Sequence, residues 1–387
     1  MKNGPHENPV TSMSEIETKF ATQNWKHDCP ENVRRQLLAE SSKRTEAMVF
    51  EDLFQRIARR AFSASPEHVS FGWVTGFYFG QLQYWFRLET KTDRWNSCDD
   101  AFAKALLSRK VITIRPKDPA KPAFSVNAKI FKVSCTSSGT FRFCELQPGG
   151  KFGAAVDQAE FRNHQKISAK PDICDSEGQN CIRQSRAIEL LEWMNDQNLA
   201  PLSVRRRLMN SVLPGFGMSA IDLDAIVLDQ ATGRVNYVEF KRKYPAGDLR
   251  QFGLDKAHVN LADLMKKISV ASLHAVLVSP VWTDTVSPLD WYLNIAEYGH
   301  RWAWVLATIG NAGNGTQMGT AGAKSGHHGG QRTQFSIDWS DCRLLSRGLA
   351  VDGHALGHMR TFFARGDFGM LPKTDYESLR AMTDTAP

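Results

Sequence analysis

The chain has 387 residues, 42% of them hydrophobic and 23% charged, with a formal net charge of +7 and a pI of about 9.0. That is the profile of a globular protein long enough for two domains and a sizeable core. Its seven scattered cysteines form no C-x-x-C pair, which excludes a zinc ribbon and fits reduced thiols. No apolar run suits a secretory signal or a membrane span, so a cytoplasmic protein is expected.

Residues 1–30 are polar and carry Pro5, Pro9 and Pro30, so little order is expected there. Glu31–Ser41 reads as a charged helix. Thr45–Phe62 reads as an amphipathic one, with Met48, Phe50, Leu53, Phe54, Ile57, Ala58 and Ala61 at helical spacing. Phe71–Leu88 is crowded with aromatics around Gly76 and Gly80. A pair of core strands is the simpler reading, and base-stacking the sharper one. Val111–Arg115, Ser125–Ser134 and Thr140–Leu146 read as further strands. The polar stretch 166–180 reads as a linker, and Cys181–Asn195 as an amphipathic helix bearing Glu189 and Glu192.

Leu199–Leu213 contains Arg205, Arg206 and Arg207, and a glycine loop follows at Pro214–Gly217. Beyond the hairpin described next, a loop spans 243–248. Leu254–Ile268 reads as a helix and Leu273–Ser279 as a buried strand. Trp291–Ile309 suits a strand or a helix. The glycine-rich 310–331 reads as a long loop holding His327 and His328, which are adjacent and cannot face one metal from a regular element. Phe335–Leu345 suits a strand or turn and Asp352–Phe363 a helix, and the tail after Pro372 is expected to fray.

The chemistry concentrates in Asp222-Leu-Asp-Ala-Ile-Val-Leu-Asp229 and Val235-Asn-Tyr-Val-Glu-Phe-Lys-Arg242, which read as paired strands. Residues two apart share a face, so Asp222 goes with Asp224, and Tyr237 with Glu239 and Lys241. Val238 and Phe240 take the other face. Gly233 supplies the positive φ that a short turn needs. Pairing brings Asp224 towards Glu239 and Lys241. Carboxylates a few Å apart stay ionised together when a hard divalent cation lies between them. A neighbouring lysine can orient or help deprotonate a water that attacks phosphorus. The plainer reading is a surface hairpin with solvated charges, but the apolar alternate positions put these charges in a core sheet.

With Asp224, Glu239-Phe-Lys241 and the order helix, hairpin, helix, strand over 181–280, the chain resembles the PD-(D/E)xK nuclease superfamily. The resemblance implies an α/β fold, a restriction-endonuclease-like mixed sheet flanked by helices, here preceded by an α+β module. It implies a Mg²⁺-dependent nuclease, with Mn²⁺ as a substitute ion, and a DNA endonuclease of restriction or defence type. Asp224 and Glu239 would be metal ligands, and Lys241 would position the attacking water. Glu189 or Glu192 would add an acid from the preceding helix. Gln251, Lys256 and His258 are candidates for a polar residue in the following helix. Leu223 stands where the family's proline would precede the aspartate, which leaves Asp222 as a rival to Asp224.

The expected division is an α+β module over 1–165, a linker over 166–180, a nuclease domain with an extension over 181–372, and a tail over 373–387. Between Pro201 and Val270 there are 11 Lys/Arg against 7 Asp/Glu. Arg205, Arg206, Arg207, Arg242, Lys243 and Lys256 are therefore expected to neutralise phosphates. The expected partner is nucleic acid, DNA before RNA, with no membrane; a homodimer is compatible. The alternative is a non-catalytic nucleic-acid-binding or assembly protein on the same fold.

Overall fold

A computed structural model describes residues 42–78, 82–90, 93–108, 112–114, 124–126, 128–136, 139–165, 196–245, 250–280, 288–308, 318–321 and 331–383. The first elements are α1 (Ser42–Ala61), β1 (Val69–Ser70), the hairpin β2 (Trp73–Tyr78) and β3 (Leu82–Glu89), and α2 (Ser97–Ser108). Next come β4 (Ile112–Ile114), β5 (Phe124–Val126), β6 (Lys129–Cys135), β7 (Phe141–Glu145), β8 (Val156–Asp157) and α3 (Gln158–His164). Then α4 (Asp196–Arg207) leads through a π-turn to β9 (Met218–Leu223), β10 (Ala225–Asp229) and β11 (Arg234–Lys243). These are followed by β12 (Gln251–Asp255), α5 (Lys256–Lys267), β13 (Ala271–Val278), α6 (Pro288–Leu293) and β14 (Ala303–Thr308). The last are β15 (Met318–Ala321), β16 (Gln331–Asp338), β17 (Arg343–Arg347), α7 (Gly353–Arg365) and α8 (Tyr376–Thr383).

The fold is mixed α/β. One six-stranded sheet runs β1-β10-β11-β13-β14-β17. Its only parallel pair is β11 with β13, and the crossover that such a pair requires carries α5. A second six-stranded sheet runs β8-β7-β6-β3-β2-β9, and β12-β16-β15 form a third of three strands.

Alternation along the strands sorts the first sheet into two cores. Ala225, Val227, Val238, Phe240, Leu273, Ala275, Trp304 and Leu306 face α1 and α7. Ile226, Tyr237, Val276, Val278, Val305 and Ala307 face α2, α5 and α8. On the first side Phe54 of α1 stacks on Phe240, with centroids 4.9 Å apart and ring planes at 10°. The hairpin register pairs Ala225 with Val238 and Asp229 with Arg234, and Gly233 closes the turn at φ +68. The faces expected for Tyr237, Glu239 and Lys241 are thus the faces observed.

Within the aromatic stretch 71–88, β2 and β3 pair as a hairpin in which Trp73, Trp85 and Phe86 are fully buried, so these three rings are core. At Gly76 any Cβ would meet Met218 Sδ at 3.1 Å and Phe86 Cε2 at 3.3 Å, so glycine lets β9 close on β2. The two large sheets are clasped by Arg87. Its Nε donates to Asp99 of α2 and to Ser70 of β1, both at 3.0 Å.

Four expectations need revision or placement. Up to Thr383 the tail after Pro372 is not frayed: α8 buries Tyr376 and Leu379 against the second core. Residues 251–255 are a strand paired to β16, so the helix expected from Leu254 begins at Lys256. Trp291–Ile309 holds both a short helix and a strand. The linker 166–180 lies outside the described residues, as do the helix Cys181–Asn195 and the pair His327 and His328. The elements on either side of that linker are interleaved. Helix α1 and strand β1 complete the sheet that holds Glu239, and β9 completes the sheet built by 73–157.

Candidate metal centre

The chain changes sheets at one residue. Strand β9 ends at Leu223 in the second sheet and β10 starts at Ala225 in the first, so Asp224 sits alone at the junction. Its Oδ2 accepts from the Phe240 backbone N–H at 2.7 Å, which fixes the carboxylate against β11. Asp222 lies two residues earlier, and α1 supplies Glu51 from the other side. Carboxylate oxygens of Glu51, Asp222 and Asp224 lie within 4.8 Å of one another, and this is the one such group of metal-ligating side chains among the described residues. Asp222 and Asp224, the rival candidates, both contribute a carboxylate to this cluster.

Glu51 was not anticipated. It lies three residues from both Met48 and Phe54, on the apolar side of its helix, and it is buried. A carboxylate in that position is the signal that could have found it. Glu189 and Glu192, expected in this role, lie outside the described residues.

The charges in the site are unequal. Burial pushes Asp224 well above the usual carboxylate range, and the Glu239, Asp222 and Glu51 charges push it further. Burial also works against ionisation of Asp222, but Arg206 and then Arg205 outweigh it and hold that carboxyl low. Three hard oxygen donors at this spacing suit a hard divalent cation such as Mg²⁺ or Mn²⁺.

Glu239 stands beside the cluster in a network of its own. Its carboxylate accepts from Tyr237 Oη and pairs with Lys241 Nζ. His258 Nδ1 of α5 lies 3.1 Å from Glu239 Oε1, and His258 Nε2 lies 3.2 Å from Lys241 Nζ. Burial opposes the charge on Glu239, but His258 and Lys241 hold it well below the carboxylate range. Burial likewise opposes the charge on Lys241, and Glu239 and Asp224 more than restore it. His274, opposite Glu239 on β13, is driven down to about 3 by burial and is neutral. Of the three polar candidates after the lysine, His258 is the one that touches both site residues.

The basic residues expected on phosphates are mostly engaged within the protein. Arg205 is buried, with Nη2 3.0 Å from Glu51 Oε2, and Arg206 Nη2 donates to Glu51 Oε1. Arg207 Nη1 donates to Gly139 O at 2.8 Å. Arg242 pairs with Glu46 at 2.9 Å and lies over the Phe50 ring. Lys243 Nζ donates to Gly253 O at 2.7 Å, and burial with the Lys241 charge brings it down to about 8. Lys256 is exposed at the start of α5. No protein-family model, no curated protein and no solved structure matches this chain.

Proposed function

We propose that the protein is a divalent-cation-dependent nuclease of the PD-(D/E)xK kind, a DNA endonuclease of restriction or defence type. One observation carries the reading. Asp224 immediately precedes β10, which pairs antiparallel with the strand β11 that carries Glu239-Phe-Lys241, and two further carboxylates complete a three-acid cluster with Asp224. The order helix, hairpin, helix, strand is supplied by α1, β10–β11, α5 and β13, with most of 71–224 inserted after β1. That order supports a restriction-endonuclease-like core.

Glu51, Asp222 and Asp224 are the groups that would hold Mg²⁺ or Mn²⁺. The bound ion would polarise a phosphate and lower the pKa of water. Glu239 orients Lys241 by direct pairing, and His258 braces both. Lys241 keeps its proton in this setting, so it serves as a donor to the attacking water or to a phosphate oxygen, not as the base. Its side chain is 26% exposed and within reach of a substrate, whereas that of Glu239 is 1% exposed.

The test is a cleavage panel of duplex, methylated and single-stranded DNA and RNA, with Mg²⁺, Mn²⁺ or chelator. Cleavage should need the metal and vanish in Asp224→Ala, Glu239→Ala and Lys241→Ala. Undiminished cleavage in all three rejects the site. The engagement of Glu51 by two arginines favours a second reading, a nucleic-acid-binding protein on the same fold without turnover. Binding of DNA with no cleavage in either metal would select it.

A further inference from the structure

We propose that Arg206 exchanges between two anions: it neutralises Glu51 and Asp222 while the carboxylates hold no cation, and it passes to a phosphate oxygen of the substrate when a divalent cation takes its place. This deepens the nuclease reading and rests on it.

The geometry supplies the first argument. One guanidinium nitrogen, Arg206 Nη2, donates to Glu51 Oε1 and lies 4.0 Å from Asp222 Oδ2. It therefore spans two of the three carboxylates that a divalent cation would bridge. Two cations competing for the same oxygens at this range repel strongly, so one must leave.

The second argument is the contrast between neighbours. Arg205 is held by the same Glu51 carboxylate, but its side chain is 1% exposed, against 15% for Arg206. Arg205 is the fixed anchor, and Arg206 is the one with a route outward, alongside the part-exposed Lys241. Buried Arg205 also has two donors to spare, since its Nε and Nη1 have no acceptor. Buried guanidinium N–H groups are costly to leave unmatched, so the arginine pair keeps hydrogen-bonding capacity beside the cluster, and Arg206 is the member whose planar fork can reach a phosphate.

Charge balance gives the third. With the three carboxylates ionised around a bound dication, they, the two guanidiniums and the dication sum to a formal charge of +1. One phosphodiester restores neutrality. Cation and nucleic acid should therefore bind with positive coupling, and Arg206 should be the coupler.

The experiment measures binding and needs no turnover. The probes are Ca²⁺ alone, a short duplex oligodeoxynucleotide alone, and the two together, titrated by calorimetry and fluorescence anisotropy. In the wild type, Ca²⁺ should tighten DNA binding by about tenfold, and by linkage DNA should tighten Ca²⁺ binding equally. Arg206→Gln should bind Ca²⁺ alone on the order of tenfold more tightly, because a competing unit charge is gone. Its coupling should fall to near one. Arg206→Lys keeps the charge and should match the wild type in Ca²⁺ affinity. Should Arg206→Gln fail to fold, NMR of the wild-type arginine Nε–H groups decides, with Arg206→Lys assigning the resonance. The Arg206 signal should move on Ca²⁺ addition and again with DNA. No movement, or unchanged Ca²⁺ affinity and coupling in Arg206→Gln, overturns the proposal. Absence of Ca²⁺ binding to both wild type and Arg206→Gln overturns it too. The nuclease reading fails separately, on cleavage.

Discussion

Replacing Glu51 with glutamine is the sharpest test of the cluster, because it should move two quantities in a fixed relation. The side chain is 8% exposed, and each of its oxygens accepts from a different arginine. Glutamine preserves the shape but turns one oxygen into an NH₂ that faces a guanidinium. Breaking a buried pair by removing one partner costs roughly 3–5 kcal/mol, and the 15% exposure of Arg206 argues for the lower end, about 3 kcal/mol. The metal-free variant should therefore melt several degrees lower by calorimetry. Its affinity for Mg²⁺ or Mn²⁺ should fall as well. Loss of a residue that merely orients a ligand typically costs 10–100-fold. Loss of a ligand should cost at least ~100-fold, or ~2.7 kcal/mol. Glu189→Gln and Glu192→Gln serve as the controls and should leave metal affinity unchanged. Wild-type metal affinity in Glu51→Gln, together with a loss in either control, would refute the assignment and return the acid to 181–195.

Asp224→Asn should raise the metal-free melting temperature at neutral pH while abolishing cleavage. A carboxyl whose folded pKa is raised loses stability as pH climbs from its unfolded value, 3.8, towards the folded one, and asparagine removes that penalty. Glu239 runs the other way: its stabilisation is complete above about 4.5 and drains as pH falls below it, so Glu239→Gln should flatten the acid limb of a stability–pH curve. His258→Ala should lower kcat by roughly 10–100-fold with little change in KM, and His258→Asn, which restores a donor near the Nδ1 position, should recover part of it. Phe54→Ala, which removes a ring stacked on Phe240, should cost ~3–5 kcal/mol in chemical denaturation. A fragment of residues 181–372 should show no cooperative unfolding transition, since it lacks α1, β1 and about a third of the first core.

The hairpin was legible because its information is local. Alternation along 235–242 assigns every face, Gly233 marks the turn, and both hold in the fold. Helix α1 and strand β13 were legible for the same reason, the helix from the spacing of its apolar residues and the strand from its nearly unbroken apolar run. What escaped is non-local. The partner of the hairpin's acids is Glu51, more than 170 residues upstream, and nothing in spacing links them. A division at 165 looks natural because the aromatic strands 73–145 form a sheet of their own, yet β9 crosses into it and β1 crosses out. The partners of the arginine run are non-local in the same way: at the end of α4, Arg205 and Arg206 both reach the Glu51 carboxylate and Arg207 reaches the Gly139 carbonyl.

The interleaving has a consequence for how such a site can be built. Each carboxylate of the cluster comes from a differently supported element: Glu51 from a helix on the first core, Asp222 from the edge strand of the second sheet, Asp224 from the junction between sheets. Bringing three like charges together costs free energy. Here the cost is spread. Phe54 on Phe240 fixes α1, the Phe240 N–H fixes Asp224, and Arg205 fixes Glu51. Phe240 thus serves both sides of one residue, its ring seating the helix that carries Glu51 and its amide seating Asp224. Phe240→Leu keeps the amide and loses the stack, so it should disturb Glu51 before Asp224. Metal affinity should therefore drop in step with stability in Phe240→Leu, whereas a substitution in the distant core around Phe161 should lower stability alone.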